Sequence, residues 1–229
     1  EQATIYQVLE KVCSTDLGTW QKEIVVVNDG SSDNTLAEVN KFEHNLSAGL
    51  NHVSLVVLNH PVNLGKGAAI VSAIARATGD FALIQDADLE YSPGDIPKLL
   101  SFIRTEDVIG EGNMAVFGNR GVKHYPERGI HYAIGVKFLT WIFDLLFWQN
   151  IADLYTGYKL LPVSVLKSLA IKSAGFEFEA EVACKLVGAH IQIVETPISY
   201  FPRNKEQGKH IGLIDFFRGF WAIIKYRVK

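Results

Sequence analysis

The chain has 229 residues, 48% hydrophobic and 21% charged, enough apolar material for one sizeable core in a single large domain. A formal net charge of −3 and a pI near 6.2 exclude the global basic excess by which a protein holds nucleic acid through its phosphates. Cys13 and Cys184 stand alone, so no disulfide framework or zinc site is implied and a reducing compartment suits them.

Met114 is the only methionine and Glu1 already stands in a helical run, so a trimmed front is expected; these residues hold no signal-peptide pattern. Ile5, Val8, Leu9 and Val12 recur at helical spacing and predict a helix over 4–17, ended by Gly18. The β-branched run 24–27 predicts a strand that turns at Asn28-Asp29-Gly30. One of Ser31, Ser32, Asp33 or Asn34 is expected to cap the next helix, through Leu36, Val39 and Phe42. The pattern repeats with a strand over 53–58, a loop through Pro61 and Gly65, a small-residue helix over 67–77 and a strand over 81–84. Apolar strands alternating with helices predict an α/β fold with a mostly parallel sheet covered on both faces. In such a sheet ligands sit beyond the strand ends, which gathers Asp29, residues 63–67 and residues 86–90 on one rim.

A helix over 95–104 and a strand over 114–118 follow, and there the regular alternation stops. The second half predicts a very apolar helix over 129–148, a polar loop at Asp153, helices over 163–169 and 179–187, and paired short strands at 191–194 and 198–201. No repeat or low-complexity stretch is present.

Asp86-Ala87-Asp88 follows the strand at 81–84. Two carboxylates at a strand end suit Mg²⁺ or Mn²⁺ bridging a diphosphate, since such a cation takes few protein oxygens and completes its shell with water and substrate. A solvated acidic turn is the alternative. Asp29 can accept hydrogen bonds from a base or ribose, whereas capping falls to Asp33. Asn63-Leu64-Gly65-Lys66-Gly67 puts a lysine and close-approaching backbone at a helix start, which suits an anion, or simply makes a tight turn. Neither a P-loop nor a GxGxxG fingerprint is present.

Taken in order, Val25-Val26-Val27-Asn28-Asp29-Gly30-Ser31-Ser32-Asp33-Asn34-Thr35, Asn63-Leu64-Gly65-Lys66-Gly67, Asp86-Ala87-Asp88, Asp153-Leu154-Tyr155-Thr156-Gly157-Tyr158-Lys159 and the Glu177-Phe178-Glu179 region resemble family 2 glycosyltransferases. Within that family the chain is most similar to dolichyl-phosphate or polyprenyl-phosphate mannose and glucose synthases, over essentially its whole length. The resemblance implies a nucleotide-diphospho-sugar transferase sandwich of GT-A type, inversion at the anomeric carbon and a lipid monophosphate acceptor. By motif, Asp29 is expected at the nucleoside, Lys66 and Asp86 at the nucleotide sugar, Asp86, Asp88 and Glu90 at the metal, and Asp88 and Asp153 in catalysis. Asp153 is also open to a sugar-positioning or loop-closing role. Family members begin with a strand ending in a Pro-x-x-Asn-Glu-like segment, so an N-terminal strand is expected to be missing here. The domain reads as a nucleotide-sugar and metal half, 1–120, and an acceptor half, 121–229.

A lipid phosphate has its second pKa near ~6 and is largely dianionic at neutral pH, so it attacks without a strong general base. Arg120, Arg128, Arg203 and Lys209 are the candidates to gather it, each also open to being a solvated charge. Glu177, Glu179 and Glu181 could suggest a second metal site, but they alternate with Phe176 and Phe178 at a helix start and are expected to cap it and face solvent. The seven histidines show no ligand spacing and receive no catalytic role.

Within 129–148, Lys137 and Asp144 each cost roughly 2.5–3.5 kcal/mol on insertion scales, which disfavours a spanning helix and leaves an interfacial or core position. Residues 213–226 place Phe216, Phe217, Phe220, Trp221, Ile223 and Ile224 beside Arg218, Lys225 and Arg227, as a surface anchor for anionic lipid or as a cover for the core. The resulting expectation is an inverting transfer of a hexose from UDP or GDP to a polyprenyl phosphate at the cytoplasmic face of a membrane, peripheral or anchored by other segments. The alternatives are a saccharide acceptor on the same fold, and a non-catalytic nucleotide- or membrane-binding regulator.

Overall fold

The computed structural model of the chain describes residues 1–46, 53–103, 114–121, 130–203 and 212–228. β1 (Lys22–Asp29) and β2 (Val53–His60) are parallel, paired from Lys22 opposite Val53 to Asp29 opposite His60. Their β-branched runs are covered by α1 (Ile5–Ser14) and α2 (Thr35–Leu46), where Ile5, Leu9, Val39 and Phe42 close over Ile24, Val26, Leu55 and Val57. Asp33 Oδ1 accepts the Thr35 amide at 3.0 Å, the capping bond expected at the start of α2. α3 (Lys66–Arg76) packs beside β1 and sends Ile70 and Ile74 into the main core.

The second sheet runs β3 (Phe81–Leu83), β5 (Lys159–Pro162), β4 (Met114–Asn119), β6 (Gln192–Pro197). β4 and β6 are parallel, whereas β5 is antiparallel to both of its neighbours. Parallel pairing thus makes the two longest ladders, β1 with β2 and β4 with β6, and the antiparallel member comes from the half of the chain where alternation stops. The expected pairing of 191–194 with 198–201 does not form. β6 lies along β4 instead, and after Pro197, which has no N–H to give, the chain leaves the sheet for the 90–91 loop. There the Phe201 amide meets the Glu90 carbonyl at 2.9 Å, and Tyr200 bridges to Tyr91. α4 (Ile96–Leu100) is shorter than the helix expected over 95–104, and Arg104 lies outside the described residues.

The main core sits between the second sheet and α5 (Ile130–Phe147), α6 (Val163–Ser168), α7 (Phe178–Gly188) and α8 (Leu213–Val228), around Phe117, Phe143, Leu161, Leu186 and Ile223. α5 and α8 run side by side in the same direction, with Gly135 and Phe138 against Phe216, Leu139 against Gly219, and Arg227 5.0 Å above the Trp148 ring. α5 resolves the choice between core and surface by doing both. Val136, Leu139 and Phe143 are buried, and Ile134, Phe138, Trp141, Leu145 and Trp148 form an exposed stripe at helical spacing. α8 likewise exposes Leu213, Ile214, Phe217, Trp221 and Val228. No helix among the described residues is long and apolar enough to cross a membrane.

Candidate active site

The site begins where β1 ends. Gly30 turns the chain at φ +63°, and a Cβ there would stand 2.4 Å from the Val62 carbonyl carbon, so only glycine lets the two loops approach. The Asp29 carboxylate accepts the Leu64 and Gly65 amides at 2.9 and 2.8 Å and lies 2.7 Å from His60 Nδ1. It holds the loop that leads into α3 and does not line the cavity described below. At the start of α3 the Gly67 amide donates to the Ala174 carbonyl at 2.8 Å, so this helix end spends a backbone donor on the protein itself. What it offers an anion is Lys66. The Lys66 Nζ lies 3.0 Å from Asp86 and 3.2 Å from Glu179. Burial alone would lower its pKa, but the two carboxylates more than offset that and hold it above the ordinary lysine value, a fixed ammonium.

Asp86 and Asp88 follow β3. Asp88 Oδ2 lies 2.8 Å from Arg203 Nη2, and Asp88 Oδ1 accepts the Glu90 amide at 3.1 Å. Burial, then the nearby Asp86 and Glu90 charges, push the Asp88 carboxyl up to about 6 against the opposing pull of Arg203. Glu90, 4% exposed, accepts the Tyr200 hydroxyl at 3.0 Å and the Arg203 amide at 3.1 Å. Among the described residues no three of His, Cys, Asp and Glu, Asp86, Asp88 and Glu90 included, are grouped so as to hold a metal ion. The physical reason is that Glu90 turns its oxygens to the 200–203 segment. A hard cation that shares a diphosphate still fits Asp88 and Asp86, because it needs few protein oxygens and these crowded carboxylates gain by a positive neighbour.

Arg120 leaves the end of β4 and meets Asp153 through two bonds of 2.7 Å, from Nε and Nη2, with its own amide at 3.1 Å. The Asp153 side chain is fully buried, and Glu195 accepts the Ala152 and Asp153 amides at 2.7 and 2.9 Å. The cavity wall is Arg120, with Asp153 behind it. Asp153 therefore stands as the holder of a guanidinium and not as a base at the cavity surface.

The glutamates after Phe176 depart most from expectation. Glu179 and Glu181 are 3% and 0% exposed, where a solvated face was expected. Glu181 accepts the Lys172 and Ser173 amides and the Tyr226 hydroxyl. Glu179 sits between Lys66 and Lys159, and Lys159 also donates to the Thr156 carbonyl. Burial lowers the pKa of Lys159 and Glu179 only partly restores it. Glu179 and Lys159 are the site residues that sequence reasoning missed. Both stand in the motifs that carry the family resemblance without having been given a site role there, and a further signal was a lysine inside the apolar run at 158–161. Gly157 makes room for this charge cluster, since a Cβ there would lie 2.8 Å from Asp86 Oδ2 and 3.3 Å from Lys66 Nζ.

These groups line a cavity of about 560 Å³, with Lys66, Asp86, Asp88, Arg120, Glu179 and Arg203 on its polar side and Val136, Leu139, Leu213 and Phe216 of α5 and α8 on its apolar side. Arg128 and Lys209 lie outside the described residues. Residues 1–169 match the family model described as glycosyl transferase family 2. The chain belongs to this family.

Among its relatives, a dolichyl-phosphate β-glucosyltransferase of Trichomonas vaginalis is 27% identical over 202 residues, 86% of this chain and 57% of the relative. A dolichol-phosphate mannosyltransferase of Pyrococcus furiosus is 25% identical over 206 residues, 89% of this chain and 55% of the relative. A low-salt glycan biosynthesis hexosyltransferase of Haloferax volcanii is 26% identical over 152 residues, 66% of this chain and 36% of the relative. The chain thus spans between 36% and 57% of the length of these three relatives. Among solved structures, glucosyl-3-phosphoglycerate synthase of Mycobacterium tuberculosis in complex with uridine diphosphate superposes with a TM-score of 0.70 at 18% identity, over 100% of this chain and 76% of that one. The same enzyme with Mn²⁺, uridine diphosphate and glucosyl-3-phosphoglycerate gives a TM-score of 0.69 at 19% identity, over 99% of this chain and 76% of that one. This family 2 domain has the GT-A-type α/β fold that its sequence predicts.

Proposed function

We propose that this family 2 domain transfers a hexose from UDP or GDP to a polyprenyl phosphate, with inversion and with Mg²⁺ or Mn²⁺. The observation that carries the proposal is the cavity itself. One side gathers an ammonium, two guanidinium groups and the Asp86 and Asp88 carboxylates, and the other is apolar and continues into the exposed stripes of α5 and α8. A phosphorylated head on an apolar tail matches both sides. The solved relatives with Mn²⁺ and uridine diphosphate support the donor class, and the dolichyl-phosphate transferases support the acceptor class.

In this reading Lys66 binds the donor diphosphate, and Asp88 with Asp86 holds the cation. When bound, that cation supplies positive charge to the departing diphosphate. Arg203 and Lys209, with Arg120 and Arg128 as further candidates, hold the acceptor phosphate against the anomeric carbon. A phosphate oxygen forms the new bond to that carbon as its bond to the diphosphate oxygen breaks on the opposite face, and the acceptor dianion needs no base to remove a proton. Asp153 acts by fixing Arg120. Residues 1–120 handle the donor and 121–229 the acceptor, except that Glu179 and Lys159 reach the donor side from the second half.

Such an acceptor places the reaction at a membrane, here assigned to the cytoplasmic face. The stripes of α5 and α8 are joined by successive ring contacts, Trp141 with Phe138 at 6.1 Å, Phe138 with Phe216 at 6.2 Å and Phe216 with Phe217 at 5.5 Å, and Lys137, Arg218 and Arg227 are exposed beside them. Aromatic side chains flanked by cations suit an anionic lipid surface. Calorimetric titration with UDP and GDP, with and without Mg²⁺ or Mn²⁺, tests the donor half of the proposal. Metal-dependent binding of one nucleotide is expected, and binding of neither contradicts it.

A further inference from the structure

A short chain of side chains behind the cavity is not used by the transfer reading. Asp29 ends β1 and His60 ends β2, and the parallel register sets them opposite each other. His60 Nδ1 lies 2.7 Å from Asp29 Oδ1, and His60 Nε2 lies 2.9 Å from Ser72 Oγ on α3. The His60 and Asp29 side chains are 12% and 16% exposed, so water competes little for these contacts. A carboxylate only accepts, which puts a proton on Nδ1, and in the neutral ring Nε2 then accepts the Ser72 hydroxyl.

The carboxylate that His60 grips is the one that accepts the Leu64 and Gly65 amides, and Asn63 Nδ2 donates to the Asp29 carbonyl at 3.1 Å. That loop needs holding. Gly65 has φ +100°, a conformation open to glycine, and its other side rests on the Ala174 carbonyl, 2.4 Å from where a Cβ would be. The next residue is Lys66. One imidazole therefore joins both strand ends, the loop and α3 immediately before the ammonium that bridges Asp86 and Glu179.

We propose that His60 is a positioning residue for the donor site: by holding Asp29 to the 64–65 loop and tethering Ser72 of α3, it sets where Lys66 stands. It touches no substrate and acts on the donor diphosphate only through Lys66. Asp29 then serves the donor from behind, through backbone amides. The proposal rests on the donor reading above for its functional consequence, but not for its structural one.

Two measurements on the full chain separate these. In native-state hydrogen exchange, His60→Ala is expected to speed exchange of the Leu64 and Gly65 amides by about tenfold or more, with the β1 amides of Val25 to Val27 still protected. His60→Asn, whose amide N–H₂ stands near the place of Nδ1, is expected to restore most of that protection. Unchanged Leu64 and Gly65 amides, or equal acceleration throughout β1, overturns the proposal. If His60→Ala does not fold, Ser72→Ala removes the α3 end alone and is expected to speed the Gly65 amide by about threefold, with no change overturning it.

The second measurement is affinity for UDP and GDP with Mg²⁺ in His60→Ala, Lys66→Ala and the double variant. The loss caused by His60→Ala, about tenfold, is expected to vanish once Lys66 is absent, whereas independent losses that multiply overturn action through Lys66. A wild type that binds neither nucleotide contradicts the donor reading, and the exchange result still decides the place of His60.

Discussion

The guanidinium of Arg120 and the carboxylate of Asp153 face each other through two bonds of 2.7 Å, with side chains only 3% and 0% exposed. Removing one member of a buried ion pair typically costs about 3–5 kcal/mol, because the other charge keeps its desolvation penalty. Asp153→Ala is therefore expected to lower stability by about that amount in urea denaturation. Replacing both partners by apolar residues, Arg120→Met with Asp153→Leu, is expected to cost less than Asp153→Ala alone.

Asp88→Asn is expected to remove most turnover, about 10²–10³-fold, through loss of charge stabilisation at the departing diphosphate. The fold is expected to survive, because Asp88 lies at the rim of the cavity and not in an apolar cluster. Near-normal metal-dependent turnover in the folded variant contradicts the metal assignment.

Arg203→Ala and Lys209→Ala are expected to raise the acceptor KM by about tenfold each, the loss of one charge-assisted contact, with a smaller effect on donor affinity measured by calorimetry. Unchanged acceptor kinetics in both variants would leave Arg120 and Arg128 as the groups that hold the phosphate.

Glu181 links α7 to α8 and to the 172–173 loop. Burial pushes its carboxyl up, but Lys185, Ser173, Tyr226 and the Lys172 amide more than offset this and hold it at about 2, against an ordinary value of 4.5. The unfolded chain therefore binds more protons between these values, so the stability from Glu181 is fully present above pH 4.5 and is lost as pH falls toward about 2. The stability difference between wild type and Glu181→Gln in urea is expected to be larger at pH 7 than near the folded pKa. A pH-independent difference contradicts this account.

Exposed Trp141 and Trp221, with Arg218, Lys225 and Arg227, give the prediction for the membrane face. Trp141→Ser with Trp221→Ser, and separately removal of the three cations, are each expected to reduce co-sedimentation with anionic vesicles. Only the cation variant is expected to lose the difference between anionic and neutral lipid.

The parts of the site that sequence reasoning reached are those fixed by local pattern. The run at 24–27 and the turn at Asn28-Asp29-Gly30 announce a parallel strand and its rim, and the polar run at 86–88 lies where a strand ends. The misses share one physical cause, pairing across distant segments. Glu179 looks like a solvated helix start until Lys66 and Lys159 are placed beside it. Segment 198–201 is rich enough in β-formers to suggest a strand, but its backbone finds its partner at Glu90. His60 carries no ligand spacing, and only the register of β1 with β2 brings it to Asp29.

The central claim is tested most directly by incubating the full chain with labelled UDP-hexose or GDP-hexose, Mg²⁺ or Mn²⁺, and polyprenyl phosphate, then measuring label in the extracted lipid. The account predicts one donor that labels the lipid in the presence of metal, and no labelling when the metal is chelated or when Asp88 is changed to asparagine. Transfer to a soluble saccharide or phosphoglycerate with none to the lipid, or no transfer from either donor, would contradict it.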